Sequence, residues 1–284
     1  STRPQSGDDF VAGQAITGRP AAALGWYGGG DRNAPTDYRI HDQRVTIHWI
    51  ARSPLRASSM RSLGGTANTF ANESFMDELA AAAHRDPLEF RSAHLADPRA
   101  RAVLQAAADR ADWKPRGEKG RRSDGPAVGQ GIAFARYKNS EAYLAAVAQV
   151  LVDPATGHLE VKRIVVAFDC GLIINPDGLR NQIEGNVIQS LSRALKEEVR
   201  FDERRILSLD WESYPILTFT EVPDVEVALL DRPQEPAVGA GEPASITTAP
   251  AVANAIFDAT GARLRRVPFT AARIREAMCE SAGT

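Results

Sequence analysis

The chain predicts an α+β fold, a mixed or antiparallel sheet with packed helices, and three observations carry that expectation. Two strand-like runs, residues 143–153 and 158–169, are joined by the tight turn Pro154 to Gly157, the spacing of an antiparallel hairpin. Helical spacing is separate from these runs and is clearest over 179–199, where Ile183, Val187, Leu191, Leu195 and Val199 recur four apart on one stripe. Nothing repeats internally, and hairpin strands with helices between them do not follow the strict alternation of a doubly wound parallel sheet.

Taken in order, residues 1–36 are rich in Gly, Pro and Asp and read as an irregular lead-in. Residues 38–50 alternate Val45, Ile47 and Trp49 against Thr46 and His48, a strand pattern. A helix follows from about Ala67 to His84. Asp86 with Pro87, and Asp97 with Pro98, then repeat one start signal, an N-cap acid before proline at the first helical position. Residues 114–128 are charged, Gly-bearing and aperiodic, and read as a linker or exposed loop. Beyond the hairpin and the 179–199 helix, strands are expected near Trp211 and over Val225 to Leu230. A last helix starts at Thr247 or Thr248 and stops at Gly261, a residue suited to a left-handed C-terminal cap.

Composition narrows the function classes. The 34 Lys and Arg nearly balance 36 Asp and Glu, a net charge of -2 that gives no reason to expect nucleic acid or an anionic membrane as partner. No apolar run approaches the roughly 20 residues of a membrane span. Cys170 and Cys279 are too few for a disulfide framework or an iron–sulfur cluster, and the five histidines lack metal-ligand spacing, so no metal held by protein side chains is expected. The opening "STRPQSGDDF", without Met or a signal-like stretch, fits a processed chain or a piece of a larger one.

The stretch with chemical promise is "AVGAGEPASITTAP", Ala237 to Pro250, where Glu242 follows the tiny residues Gly239, Ala240 and Gly241. Such a loop lets the backbone approach something bulky, and a carboxylate held there can act as a general base, a metal ligand or a solvated loop residue. Its continuation, Gly239 to Phe269, resembles the C-terminal signature of the xanthine oxidase family of molybdenum hydroxylases. So does "VVAFDCGLIINPDGLRNQIEGNVIQSLSRALKEE", Val165 to Glu198. Ser53 to Leu95 is similar to the family's Arg-Gly-Phe-Gly loop and following helix, and is nearest to the isoquinoline-oxidoreductase and nicotinate-dehydrogenase branch.

The resemblance implies the C-terminal part of a molybdopterin-binding domain of aldehyde oxidase and xanthine dehydrogenase type. It implies a partial subdomain over 1–113, the linker over 114–128, and a C-terminal subdomain over 129–284 that carries the Gly-Glu-Pro loop. The cofactor implied is a molybdenum held by a pterin dithiolene, as the cytosine dinucleotide. Glu242 matches the base that takes a proton from the hydroxyl group on the metal, and Arg61 matches an arginine that orients or stabilises a developing anion on the substrate. Met60, Arg61, Gln182, Gly239, Ala240 and Gly241 are implied to face the cofactor. Read without the resemblance, Arg61 is a solvated loop arginine, Gln182 is helix surface and Cys170 is a small buried residue.

The implied activity is hydroxylation of an N-heteroaromatic compound or an aldehyde with water as oxygen source. Implied partners are the N-terminal half of the molybdopterin-binding subunit and a small subunit carrying [2Fe–2S] clusters. Two positions depart from the family pattern: Asn186 stands in "EGN" for the family's "EGG", and Ser190 stands where its Gly-Leu-Ser begins. Loss of glycine on a helix removes close-packing room, and it keeps open an alternative, a non-catalytic assembly or docking module that retains the fold. A hydrolase using Glu242 is a weaker rival, since no Gly-x-Ser-x-Gly pattern accompanies it.

Overall fold

The computed structural model describes residues 29–48, 55, 59–115 and 125–282. Most of the lead-in and residues 116–124 of the expected linker lie outside that set. Four strands form one sheet: β1 (Ala127–Arg136), β2 (Tyr143–Val152), β3 (Leu159–Asp169) and β4 (Asp224–Leu229), in the order β1-β2-β3-β4. β1 and β2 pair antiparallel from Ala127↔Val152 to Arg136↔Tyr143, and β2 pairs antiparallel with β3. β3 and β4 are parallel, so the sheet is mixed. The expected hairpin turn is present: Asp153 accepts at Oδ1 from Ala155 N (2.9 Å) and at Oδ2 from the Thr156 hydroxyl (2.8 Å), and Gly157 takes φ 72°.

Among the described residues, six α-helices cover the two faces, α1 (Gly65–Ala82), α2 (Pro87–His94), α3 (Pro98–Arg110), α4 (Pro176–Leu195), α5 (Thr248–Thr260) and α6 (Ala271–Ala282). Side chains alternate across a strand, and both sets are buried. Ile132, Phe134, Tyr143, Ala145, Val147, Val165 and Ala167 pack against Met76, Phe90, Val103 and Leu104 of α1–α3. Ala133, Leu144, Ala146, Ile164, Val166 and Phe168 pack against Ile183, Val187 and Leu191 of α4, Val252 and Ile256 of α5 and Ile274 of α6. Burial on both faces explains the almost continuous apolar run of β2. The helices drawn from residues 65–110 therefore cover the same sheet as the later helices.

Local chemistry accounts for the helix starts. Asp86 Oδ1 accepts from Leu88 N (2.9 Å) and Glu89 N (3.1 Å), and Asp97 Oδ1 accepts from Arg99 N (2.9 Å). α4 begins earlier than the stripe at Leu179 suggests, because Asn175 caps Gly178 N (3.0 Å) ahead of Pro176; it ends at Leu195, and Val199 is exposed. α1 also starts two residues earlier than expected and ends before His84, which takes φ 51°. α5 stops on Gly261 at φ 76°, as its sequence suggests.

Two strand expectations are corrected. Residues 38–48 form no strand: Tyr38 is buried under Phe134, but Val45 and Ile47 are exposed, and the alternation pairs with no strand among the described residues. The region of Trp211 is also not a strand, and Trp211 is 73% exposed. Two elements lie beyond the sequence expectations, β1 in full and α6. In β1, Gly129 and Gly131 interrupt the strand pattern because α5 lies directly on them: a Cβ at Gly131 would stand 2.1 Å from Ala255 N.

Candidate active site

Two distant segments meet at the Gly239–Glu242 loop. α4 supplies Gln182 and Asn186, the turn before α1 supplies Met60, Arg61 and Ser62, and the short 3₁₀ turn Pro243–Ser245 leads from Glu242 toward α5. Arg61 ties them together. Its Nη2 donates to Gln182 Oε1 (2.9 Å) and to the Gly241 carbonyl, and its Nη1 donates to Gln189 Oε1 (3.3 Å). Met60 is exposed, and its carbonyl accepts from Leu63 N (2.8 Å) to close the turn.

Glu242 is half-buried and held by a set of donors. Its Oε1 accepts from the Tyr137 hydroxyl (2.5 Å) and Arg32 Nη1 (3.3 Å), and its Oε2 accepts from the backbone N–H of Ser62 (2.8 Å). The Glu242 carbonyl accepts from the hydroxyls of Ser62 (2.7 Å) and Ser245 (2.8 Å), so main chain and side chain are both fixed. Burial pushes the carboxyl pKa up, but the Tyr137 and Ser62 hydrogen bonds and the positive charges of Arg32 and Lys138 outweigh it and leave the pKa below the usual glutamate value. Tyr137 is pushed above the ordinary phenol range by its own burial and by the hydrogen bond and negative charge of Glu242.

Ser62 takes φ 70° and Leu63 φ 54°, left-handed conformations that favour glycine. Ser62 occupies the place of the first glycine in the Arg-Gly-Phe-Gly loop, which explains the backbone shape; its hydroxyl and N–H, both turned to Glu242, account for what serine adds there. Ser62, Tyr137 and Arg32 are neighbours of the Glu242 carboxylate that the sequence reading did not single out. Only Ser62 leaves a usable signal, a non-glycine residue inside a glycine-type turn. Tyr137 and Arg32 reach Glu242 across 105 and 210 positions, a distance at which spacing carries no information.

The loop separates two cavities. One, of about 420 Å³, is lined by Arg61, Tyr137, Lys138, Glu141, Gly239, Gly241, Glu242 and Pro243. The other, of about 240 Å³, is mostly apolar and is lined by Cys170, Leu172, Ile174, Gln182, Ala240 and Gly241 among others. Glu242 and Arg61 thus share one cavity, Gln182 and Ala240 share the other, and Gly241 borders both. A Cβ at Gly241 would meet no atom within 4 Å, and one at Gly239 would meet only Glu141 Oε2 at 3.9 Å. Asn186, one of the departures from the family pattern, is fully buried, and its Nδ2 donates to the Gly241 carbonyl (3.2 Å) and the Gln182 carbonyl (2.7 Å). Its amide fastens the loop to α4 from behind.

The site is thus a half-buried carboxylate beneath an open loop of small residues, flanked by an arginine and a glutamine amide and bordered by two cavities. Residues 40–223 match the family described as the molybdopterin cofactor-binding domain, and the chain belongs to that family, within the xanthine oxidase group of molybdenum enzymes. It is 45% identical over 95% of its length to a nicotinate dehydrogenase subunit of Pseudomonas putida, covering 24% of that protein. It is 35% identical over 82% of its length to the beta subunit of isoquinoline 1-oxidoreductase from Brevundimonas diminuta, covering 29% of it. The chain therefore spans about a quarter of the length of these curated relatives. The crystal structure of quinoline 2-oxidoreductase from Pseudomonas putida 86 shares the fold, with a TM-score of 0.68 and 16% identity over 78% of this chain and 53% of that one.

The residues present fit a molybdenum–pterin group. The open faces of Gly239 and Gly241 leave room for close approach, and the N–H groups of residues 239–241 have no acceptor among the described residues. Gln182 meets Arg61 through Oε1 only, so its Nε2 can donate to a pterin edge. Among the described residues no group of three or more His, Cys, Asp or Glu is placed to hold a metal ion directly.

Proposed function

We propose that this chain forms part of the active site of a molybdenum-dependent hydroxylase, in which Glu242 is the general base and the substrate is an N-heteroaromatic compound or an aldehyde. The observation that carries this reading is the Glu242 carboxylate itself. It is kept ionised and immobile by Tyr137, Arg32 and Ser62 on the wall of a cavity that Arg61 shares. A general base must be deprotonated before the reaction and positioned within hydrogen-bond reach of the proton it removes.

In this reading Gln182, Gly239, Ala240, Gly241, Met60 and Arg61 hold the pterin, in its cytosine dinucleotide form, together with residues of the N-terminal half of the subunit. When bound, the cofactor supplies a two-electron acceptor for oxidation of a substrate carbon with water as the oxygen source. Glu242 receives the proton released in that oxidation. Arg61, fixed by Gln182, Gln189 and the Gly241 carbonyl, presents a guanidinium to negative charge that develops on the substrate. Electrons leave through a small subunit with [2Fe–2S] clusters. The placement of Asn186 behind the loop supports the catalytic reading over a non-catalytic docking module, because this departure braces the Glu242 loop.

The test is Glu242→Gln in the subunit containing this chain, assembled with its partners. Turnover of an N-heterocycle or aldehyde should fall by about 10²–10⁴, the usual contribution of a general base, while molybdenum content by elemental mass spectrometry stays at the wild-type level. Undiminished turnover would overturn the assignment. Stable assembly with neither cofactor nor turnover in the wild type would favour the docking module.

A further inference from the structure

We propose that Tyr137 is a positioning residue for Glu242: its hydroxyl, aimed by Arg32, occupies Oε1 and leaves proton uptake to Oε2. The inference rests on the proposed role of Glu242 as base. Tyr137 directly follows β1 and is 2% exposed. Arginine has no acceptor, so the 2.6 Å contact from Arg32 Nη1 must be a donation to the phenol oxygen. The phenol has one proton, and the carboxylate oxygen 2.5 Å away is the acceptor for it. With Arg32 also donating to Oε1, both lone pairs of that oxygen are engaged. Oε2 carries the Ser62 N–H alone among the described residues, and so keeps one lone pair for a proton.

The turn that presents Tyr137 is built for placement. Lys138 and Asn139 both take positive φ, 54° and 57°, a strained arrangement for residues with side chains. It is held by Asn33, whose Nδ2 donates to the Arg136 carbonyl (2.8 Å) and whose Oδ1 accepts from Lys138 N (3.1 Å). Asn139 Nδ2 donates to the Pro35 carbonyl (2.9 Å) and Asp37 Oδ2 (3.1 Å). The segment that delivers Arg32 is thus the one that clamps the Tyr137 turn, and hydroxyl and guanidinium arrive together. The other groups around Glu242 are Lys138, which pairs with Glu141 (2.9 Å), and Arg61, bound as described.

Hydrogen bonds to an ionised carboxylate favour that form, so loss of the phenol should make Glu242 easier to protonate. The measurement is infrared difference spectroscopy of the assembled subunit across pH, following the protonated-carboxyl band that Glu242→Gln abolishes. Tyr137→Phe should raise the midpoint of that band by about one to two pH units, the range expected for a hydrogen bond to a charged group. Arg32→Gln should move it the same way, and serves alone if the Phe variant does not fold. An unmoved midpoint would overturn the inference. The acid limb of kcat/KM should shift with the band in Tyr137→Phe; a band that moves without the limb upholds Tyr137 as the positioning residue and overturns Glu242 as the base.

Discussion

Replacing Gly131 by alanine tests the contact that sets the height of α5 over the sheet. An added Cβ would stand 2.1 Å from Ala255 N, 2.2 Å from the Ala251 carbonyl oxygen and 2.5 Å from the Asn254 carbonyl carbon, all backbone atoms of α5. Carbon contacts are comfortable only from about 3.5 Å, so the helix must withdraw by roughly 1 to 1.5 Å. Withdrawal also stretches the buried bond from Asn254 Nδ2 to the Ile132 carbonyl, now 2.9 Å. Overpacking costs about 1–3 kcal/mol and a weakened buried hydrogen bond about 1 kcal/mol more. Gly131→Ala should therefore destabilise by about 3 kcal/mol, lowering the melting temperature by roughly 6–12 °C. The control is Gly185→Ala, the same chemical change in α4, where a Cβ meets nothing within 4 Å. It should stabilise by about 0.5–1 kcal/mol, the helix preference for alanine over glycine. Urea unfolding of the purified protein reads both. Shifts of the same sign, or a Gly131→Ala change within about 0.5 kcal/mol of zero, would show that α5 is not seated on β1 as described.

Glu73→Ala should destabilise by about 3–5 kcal/mol, because it removes the 2.9 Å partner of fully buried Arg91 and leaves that charge to Asp77 at 3.4 Å; chemical denaturation measures it. Asp37 gives a pH dependence. Burial raises its pKa from 3.8 to about 6, against the lowering effects of Asn139 and Arg136. The folded chain thus binds this proton more tightly than the unfolded chain, and the group's contribution to stability falls as pH rises from about 4 to about 6 and is level above that. Asp37→Asn should remove this fall, seen as a flatter melting temperature between those values. At the site, Arg61→Ala should leave the Gly241 carbonyl to Asn186 alone, loosening the loop, and raise KM as well as lower kcat, a split that steady-state kinetics on the assembled enzyme resolves.

Much of the architecture is encoded locally. The Asp86-Pro87 and Asp97-Pro98 starts, the Gly261 stop and the turn ending at Gly157 are all as their residues predict, since capping and turn chemistry act over a few positions and owe little to the rest of the molecule. The alternation over 38–50 misled for the opposite reason: period two creates a strand only where a neighbouring strand pairs with it, and residues 38–48 pair with none among the described residues. β1 escaped detection because its glycines serve a helix more than a hundred residues later in the chain.

The candidate site divides along the same line. Motifs in sequence singled out Glu242, Arg61, Gln182 and the small residues at 239–241, and they placed the chain in its family, because those identities are tied to chemistry. Tertiary structure alone decided that Arg61 grips Gln182 and the Gly241 carbonyl, that Asn186 braces the loop, and that Tyr137, Arg32 and Ser62 converge on the Glu242 carboxyl group. The protonation state of a carboxylate is a sum over neighbours in space, and here those neighbours lie 105 to 210 positions away along the chain. A residue's type can be read from its letter; the field acting on it depends on how the whole chain folds.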